Sequence, residues 1–241
     1  MPMTLILLLS MAGTDPAASA ASCVAALLPA VPAQATQALE RIPDPGRRLL
    51  AMQAYLRARD LPARWSWDEA RIRAYQGSPG QQQAQAALDQ VQAAFTAANP
   101  GYQLHVNTQV RSLDVQLAHW NDNASVGAAA TALVEAATQA CIAAPARFGD
   151  WLRGWRPPVP ANLAAPGLSP HGQAHAFDFQ VIADAGSALV AGTDSRRIDQ
   201  DWRAAGWAEK LRLAIAASGQ RFVGPLASPD EPWHYAWQGT P

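Results

Sequence analysis

The chain has few cysteines and no cluster of basic residues, and each absence excludes a kind of site or partner. It has only two cysteines, Cys23 and Cys141, and no CxxC pair, so a metal site in this protein cannot be built from thiolates. The formal net charge is −1 and no run rich in lysine or arginine occurs. We therefore expect no nucleic-acid partner. No internal repeat is present, and nearly half of the residues are hydrophobic, which allows a sizeable core.

The N-terminus has the pattern of a secretory signal peptide. An apolar run, Leu5 to Leu9, is followed by the small residues Ala18 to Ala20, with the cleavage predicted after Ala20. The run is too short to span a bilayer. No basic residue precedes it, so the alternative is an alanine-rich leader on a cytosolic protein. We predict a periplasmic or secreted protein, with no stable membrane insertion after the signal is removed.

Export would place both cysteines in an oxidising compartment. A disulfide between Cys23 and Cys141 can form there, and it would close a long loop. Cys23 also follows a run of small residues, as a lipid-attached cysteine does, although Ala21 and Ser22 fit that pattern poorly. The spacing of the residues alone does not decide between a disulfide and lipid attachment at Cys23.

Helical patterns dominate the first part of the chain. Residues 36–59 are predicted to be helical with a break near Pro43 to Gly46. Ser66 and Glu69 have the spacing of a capping box, which predicts a helix from Ser66 toward Tyr75. A further helix is predicted over residues 81–98. Its apolar face consists of residues at helical spacing, namely Ala84, Ala87, Leu88, Val91 and Phe95.

Strand patterns follow. Alternating apolar and polar residues predict a strand from Tyr102 to Val110 that delivers Arg111 and Ser112 at its end. Further strands are predicted from Ala174 to Val181 and from Trp233 to Trp237. Helices first, and strands mixed with helices later, indicate an α+β fold.

Four polar groups are candidates for a hydrolytic metal centre. His171, Asp178 and His234 supply two imidazoles and one carboxylate, the three-ligand set of a catalytic zinc that leaves a position open for water. Glu231, shortly before His234, can act as the base for that water. We expect His171 on a loop, Asp178 in the following strand and His234 on a neighbouring strand.

These residues lie in two motifs that resemble those of a known family. Ser169, His171, Ala176 and Asp178, followed by Glu231, Pro232, Trp233 and His234, resemble the zinc D-alanyl-D-alanine carboxypeptidases and dipeptidases, including those of vancomycin resistance. Val110, Arg111 and Ser112 stand where that family has a Tyr-Arg-Ser segment, and Gln116 follows. The resemblance covers residues 90–235, and we find no match in the N-terminal helices.

The resemblance implies a role for each residue. His171, Asp178 and His234 would hold Zn²⁺, and Glu231 would move the proton from water to the leaving amine. Arg111 would bind and orient the substrate, at its terminal carboxylate or at the scissile carbonyl; the alternative is a structural ion pair. Ser169 and Gln116 are supporting candidates for substrate binding, although Ser169 can instead form a local backbone hydrogen bond.

The chain departs from the family pattern at Ala174, where the family has glycine. Because alanine tolerates most extended geometry, we expect a small adjustment there. His175 alternates with the site face and is not expected to be a ligand.

The resemblance also implies a fold and a domain organisation. The fold would be that of hedgehog and DD-peptidase domains, an antiparallel sheet with flanking helices, here with an added N-terminal helical segment. We predict a signal peptide over 1–20, an N-terminal helical lead-in over 21–80 and a zinc peptidase domain over 81–241.

The function that follows is zinc-dependent hydrolysis of peptidoglycan stem peptides, with a D-alanyl-D-alanine carboxypeptidase favoured. The first alternative is an endopeptidase or lysin that cuts inside the stem. The second is a non-catalytic zinc protein that binds the cell wall, as hedgehog-type domains keep a metal site without clear peptidase activity. Glu231 and the complete ligand set argue against that last alternative.

Overall fold

The computed structural model describes residues 16–184 and 188–239. Within them the α-helices are α1 Pro16–Ala25, α2 Ala33–Glu40, α3 Pro45–Arg57, α4 Leu61–Arg64, α5 Glu69–Tyr75, α6 Pro79–Ala98, α7 Leu113–Asp122, α8 Ala124–Ala143, α9 Phe148–Gly154 and α10 Trp207–Ser218. The strands are β1 Tyr102–Val106, β2 Ala176–Ala183, β3 Leu189–Ala191, β4 Phe222–Val223 and β5 His234–Trp237. Most of the predicted signal peptide, residues 1–15, lies outside the described residues.

The helical regions predicted over 36–59 and 81–98 are present, whereas the helix predicted from Ser66 begins only at Glu69. Residues 36–59 form α2 and α3 with the expected break, and α6 buries its whole predicted apolar face. The capping box at Ser66 was wrong. Asp68 caps α5 instead, since its side chain accepts a hydrogen bond from the Arg71 amide. Ser66 is engaged elsewhere, in a buried hydrogen bond with Gln116.

The sheet is antiparallel and is organised around β2. Its strand order is β1-β2-β5-β4, with β3 pairing beside β2. The first half of β2 pairs with β5, from Ala176 to Asp178, whereas the second half pairs with β1 and β3. This arrangement confirms an α+β fold, in which one strand links both halves of a curled sheet.

β1 is shorter than predicted. It ends at Val106, opposite Phe179, although the alternating pattern continues to Val110. The side chain of Asn107 accepts a hydrogen bond from the Gln109 amide, a local turn that competes with the strand ladder. As a result, Asp178 has no β1 partner.

The described residues contain two large hydrophobic cores. One lies between α6, α10 and the sheet, and includes Phe95, Phe179, Trp202 and Tyr235. The other is built mainly from helices, and it joins α2 and α3 to α7, α8 and α9. The N-terminal helices therefore share a core with helices that come after β1, so packing crosses the predicted boundary at residue 80.

Helix α8 is the centre of the helical core. Among the described residues it alone is long and apolar enough to cross a membrane by length and composition, with a hydropathy of 1.4. It packs against α1, α3 and α9 and buries Val126, Leu133 and Cys141. A core helix meets the same length and composition test, so this finding carries no membrane assignment.

A disulfide joins α1 to α8. It links Cys23 to Cys141 across 118 residues of sequence, with the two Cα atoms 6.2 Å apart. Cys23 is therefore not free for lipid attachment in this structure. The covalent link fixes the first described helix to the helical core.

We expect the double variant Cys23→Ser/Cys141→Ser to lower the free energy of unfolding by about 4–5 kcal/mol, because closing so long a loop removes much entropy from the unfolded chain. Denaturant unfolding followed by circular dichroism measures this difference. Reductant should destabilise the wild type by the same amount and leave the variant unchanged. Equal stability of the variant and the oxidised wild type would contradict the expectation.

Candidate metal centre

Three short elements bring the predicted ligands together. His171 lies on the 3-10 turn Pro170–Gln173, Asp178 lies in β2 and His234 begins β5. Asp178 and His234 are directly paired across the β2–β5 ladder, so their side chains leave the same face of the sheet. The turn before β2 brings His171 to the same place, and the three donor atoms lie within 4.8 Å of one another.

The donor atoms lie close enough together for the two imidazoles and the carboxylate to share one metal ion. His171 Nε2 lies 3.2 Å from His234 Nδ1 and 3.4 Å from Asp178 Oδ2. His234 Nδ1 lies 2.9 Å from Asp178 Oδ1. A tetrahedral zinc with bonds of about 2.0–2.1 Å holds its ligand atoms about 3.3 Å apart. The residues present therefore fit a metal ion that takes nitrogen and oxygen ligands.

The electrostatics of the cluster favour the protonation states that a metal needs. Burial lowers the pKa of His171 and outweighs the opposing effect of Asp178. Burial would raise the pKa of Asp178, but hydrogen bonds from His171 and His234 hold it well below its usual range. A neutral imidazole and an ionised carboxylate are the forms that coordinate a cation.

Glu231 lies beside the ligands without belonging to the cluster. Its Oε2 is 3.7 Å from His234 Nδ1, and its side chain is 19% exposed. Its amide donates to the Leu226 carbonyl, and its carbonyl accepts from the His234 amide, which fixes the loop that carries it. Burial raises the pKa of Glu231, the nearby Asp178 adds to this effect, and His234 opposes it. A raised pKa suits a group that must both accept and release a proton.

Arg111 faces the cluster from the segment between β1 and α7. Its Nη2 lies 3.8 Å from Asp178 Oδ2. Its backbone is held at both ends, since its amide donates to the His171 carbonyl and its carbonyl accepts from the Gln116 side chain. With 31% of its side chain exposed, the guanidinium can still bind an anionic or carbonyl oxygen.

Gln116 has a different environment from that expected of a substrate ligand. It is 6% exposed, and its Nε2 donates to Ser66 Oγ and to the Arg111 carbonyl, both at 2.8 Å. Its Oε1 accepts from the Gly167 amide at 2.9 Å. These bonds join three separate segments. The predicted substrate-binding role of Gln116 stays a prediction, whereas a positioning role is evident in the geometry.

Ser169 lines a cavity at the cluster and is 8% exposed. Its carbonyl accepts from the Gly172 amide, but its hydroxyl does not cap the turn that follows. The local bond considered from the sequence is therefore made by the backbone and not by the side chain. The substrate-binding role of Ser169 stays a prediction.

The expectation for Ala174 was wrong. Its backbone is left-handed, with φ 55° and ψ 25°, so it is neither extended nor a small adjustment of a strand. This conformation costs a non-glycine residue roughly 1–2 kcal/mol. The residue is 4% exposed and packs with Trp67 and Tyr75, and these contacts help to hold the strained backbone in place. His175, the next residue, is not part of the ligand cluster, as predicted.

A strap from the N-terminal segment, residues 63–67, holds the loop that carries His171. The Ser66 amide donates to the Gly167 carbonyl and the Trp67 amide to the Gly172 carbonyl, both at 2.8 Å. At both glycines a side chain has no room. A Cβ at Gly167 would lie 2.6 Å from the Trp65 ring, and one at Gly172 would lie 2.1 Å from Ser66 Oγ.

Two cavities adjoin the ligand cluster. The larger cavity, of about 530 Å³, is lined by Glu231 and His234 among others. The smaller cavity, of about 370 Å³, lies between α5, the 107–112 segment and α7. Four residues line both cavities, namely Arg111, His119, His171 and Asp178. The centre is therefore accessible from two sides.

Sequence reasoning missed the strap, Arg64 and His119. Arg64 and His119 line the larger cavity. The strap acts through backbone groups, which leave no pattern in the sequence. The sequence did contain one signal for this contact. Gly172 and Gln173 lie between the first two predicted ligands, and a glycine there allows another segment, here the strap, to pack closely against the loop.

Comparison of the chain with family models, with curated proteins and with solved structures found no match.

We expect His234→Ala to weaken zinc binding by more than about 100-fold, beyond the 10–100-fold that is typical of losing an outer-shell partner. Metal content after zinc loading and dialysis, together with calorimetric titration, measures this. His175→Ala is the matched control, because His175 lies next to the site outside the cluster. Equal zinc content in the two variants would refute the ligand assignment.

Gln116→Ala should lower the free energy of unfolding by about 2–3 kcal/mol, because it leaves the Gly167 amide and the Arg111 carbonyl without their partner. Gln85→Ala serves as the control. Gln85 is exposed and bonds to Asp89, so its loss should cost less than about 0.5 kcal/mol. Similar losses in both variants would show that the buried network adds nothing.

Proposed function

We propose that this chain is a zinc-dependent hydrolase of peptidoglycan stem peptides, and that it acts as a D-alanyl-D-alanine carboxypeptidase. The observation that carries the proposal is the meeting of His171, Asp178 and His234 with Glu231 beside them. The resemblance of the two sequence motifs to the zinc D-alanyl-D-alanine peptidases supplies the substrate class.

The chemistry of the proposal divides between the metal and the chain. Zinc, when held by two histidines and a carboxylate, acidifies a neighbouring water molecule and polarises a carbonyl group. Glu231 accepts the proton of the attacking water and passes it to the leaving amine, a role that its burial and raised pKa support. The backbone hydrogen bonds of Glu231 to Leu226 and His234 fix the loop that carries this carboxylate.

Arg111 binds the substrate in this proposal. A guanidinium matches the planar geometry of a carboxylate and can donate two parallel hydrogen bonds to it. The terminal carboxylate of the stem peptide is the group that a carboxypeptidase must recognise. The hydrogen bonds of the Arg111 backbone to the His171 carbonyl and to the Gln116 side chain fix the backbone of Arg111 relative to the candidate ligands.

One observation favours a second candidate, an endopeptidase that cuts inside the stem. The smaller cavity continues beyond Arg111, His171 and Asp178 and offers about 370 Å³ on that side. A strict carboxypeptidase needs room for only one small residue past the scissile bond. A cleft with space on both sides of the ligands would allow a longer chain to pass through.

The proposed location is the periplasm or the cell exterior, where stem peptides occur. The Cys23–Cys141 disulfide is consistent with an oxidising compartment, since such bonds are rare in the cytosol. The apolar run of the predicted signal peptide supports the same location.

The test is mass spectrometry of defined stem peptides after incubation with zinc-loaded protein. We expect loss of one terminal alanine, and a fall in kcat of about 10²–10⁴-fold in Glu231→Gln with zinc retained. Asp230→Asn is the matched control, because Asp230 is adjacent but pairs with Arg203 outside the cluster.

The product masses distinguish the candidates. Release of a fragment larger than one alanine would favour the endopeptidase over the carboxypeptidase. Full activity of Glu231→Gln would show that another group moves the proton, and absence of any cleavage by the wild type would refute the hydrolase itself.

A further inference from the structure

A second arginine lines the larger cavity. Apart from Arg111, the only Arg or Lys side chain among its described lining residues belongs to Arg64, the last residue of α4. Arg64 comes from the N-terminal segment, which carries no resemblance to the peptidase family. The sequence therefore gave no reason to connect it with the site.

The Arg64 guanidinium has no carboxylate partner within residues 16–184 and 188–239. Several other surface arginines pair with an acidic side chain, as in Arg41 with Asp114, Arg197 with Asp201 and Arg212 with Glu209. Arg64 is exposed and lines the cavity that a substrate would occupy, so its positive charge is available at that surface. The acidic side chains that line the same cavity, Asp178 and Glu231, already serve the metal centre.

The backbone at Arg64 is held in place by the loop that carries the metal ligand. Gln173 Nε2 donates to the carbonyls of Ala63 and Trp65, each at 2.8 Å, so the two residues that flank Arg64 are both tied down. Gln173 belongs to the same 3-10 turn as His171. The next residue of the strap, Ser66, is bound to Gly167. The position of Arg64 relative to the ligand cluster is thereby set by direct hydrogen bonds.

A guanidinium carried on a fixed backbone segment at the wall of a cavity can recognise an anionic group of the substrate. We propose that Arg64 binds a second carboxylate of the stem peptide, the free carboxylate of its glutamyl residue, which lies away from the scissile bond. This inference rests on the proposed function for its substrate. It assigns Arg111 to the reacting end of the peptide and Arg64 to an internal position. Together the two arginines would determine which bond of the peptide lies at the ligand cluster and which peptides are bound.

The glutamyl carboxylate is chosen because every unamidated stem carries it, whatever the third residue. Amidation of that carboxylate converts a charged acceptor into a neutral amide of similar shape. A pair of peptides that differ only by this amidation therefore isolates the charge that Arg64 would recognise.

The experiment combines this substrate pair with variants of Arg64. The probes are the pentapeptide L-Ala-γ-D-Glu-L-Lys-D-Ala-D-Ala and its glutamyl amide. We expect the wild type to prefer the acid over the amide by about fivefold in kcat/KM, the upper range for a solvent-accessible ion pair. Arg64→Ala should lose this preference, mainly through KM for the acid, and Arg64→Lys should restore part of it.

Arg73→Ala is the matched control, because Arg73 is an exposed arginine of the adjacent helix α5 that lines neither cavity. Binding of both peptides to Glu231→Gln, with and without Arg64→Ala, gives the same comparison without turnover. A preference for the acid that survives Arg64→Ala would overturn the assignment of Arg64 while leaving the hydrolase intact. Failure of the wild type to bind or cut either peptide would overturn the proposed function as well.

Discussion

The pairing of Asp178 with His234 across the β2–β5 ladder is the constraint on which the site depends. Strand pairing places these two side chains on one face at a separation that backbone hydrogen bonds determine. His171 needs only a single turn before β2 to join them, and Glu231 needs only the short loop before β5. A metal centre can thus be assembled from two neighbouring strands and the segments that lead into them.

The remainder of the structure holds the segments that the sheet does not fix. The loop before β2 is bounded on one side by its own strand and on the other by the 63–67 strap, with Gln116 joining the strap to Arg111. Neutral groups make these hydrogen bonds, namely backbone amides and carbonyls together with the side chains of Gln116, Gln173 and Ser66. No charged side chain is needed to satisfy the buried polar groups of this loop. The helical core supports this arrangement, because Trp65 of the strap, Leu113 at the start of α7 and Leu168 before Ser169 pack in it or against it.

Local patterns predicted the elements well where periodicity was strong. The apolar face of α6 and the alternation in β1 are visible in the residues themselves. The three candidate ligands were identified through the resemblance of their two motifs to a known family, and the structure brings them together in a cluster that could hold a metal ion. The failures have one common cause, which is competition from contacts distant in sequence or from a local side chain. Ser66 bonds to Gln116 rather than capping α5, Asn107 ends β1 early, and Ala174 is left-handed because its neighbours hold it so. None of these outcomes leaves a periodic signal.

The strap has a consequence for how the metal centre relates to the rest of the chain. Residues 63–67 and the loop at Gly167 to Gln173 are far apart in sequence, with helices α5 to α9 and strand β1 between them. Long-range contacts of this kind form late and together. Because the three candidate ligands come together only in the folded chain, binding of a metal ion there would be coupled to folding of the segments on both sides of this contact.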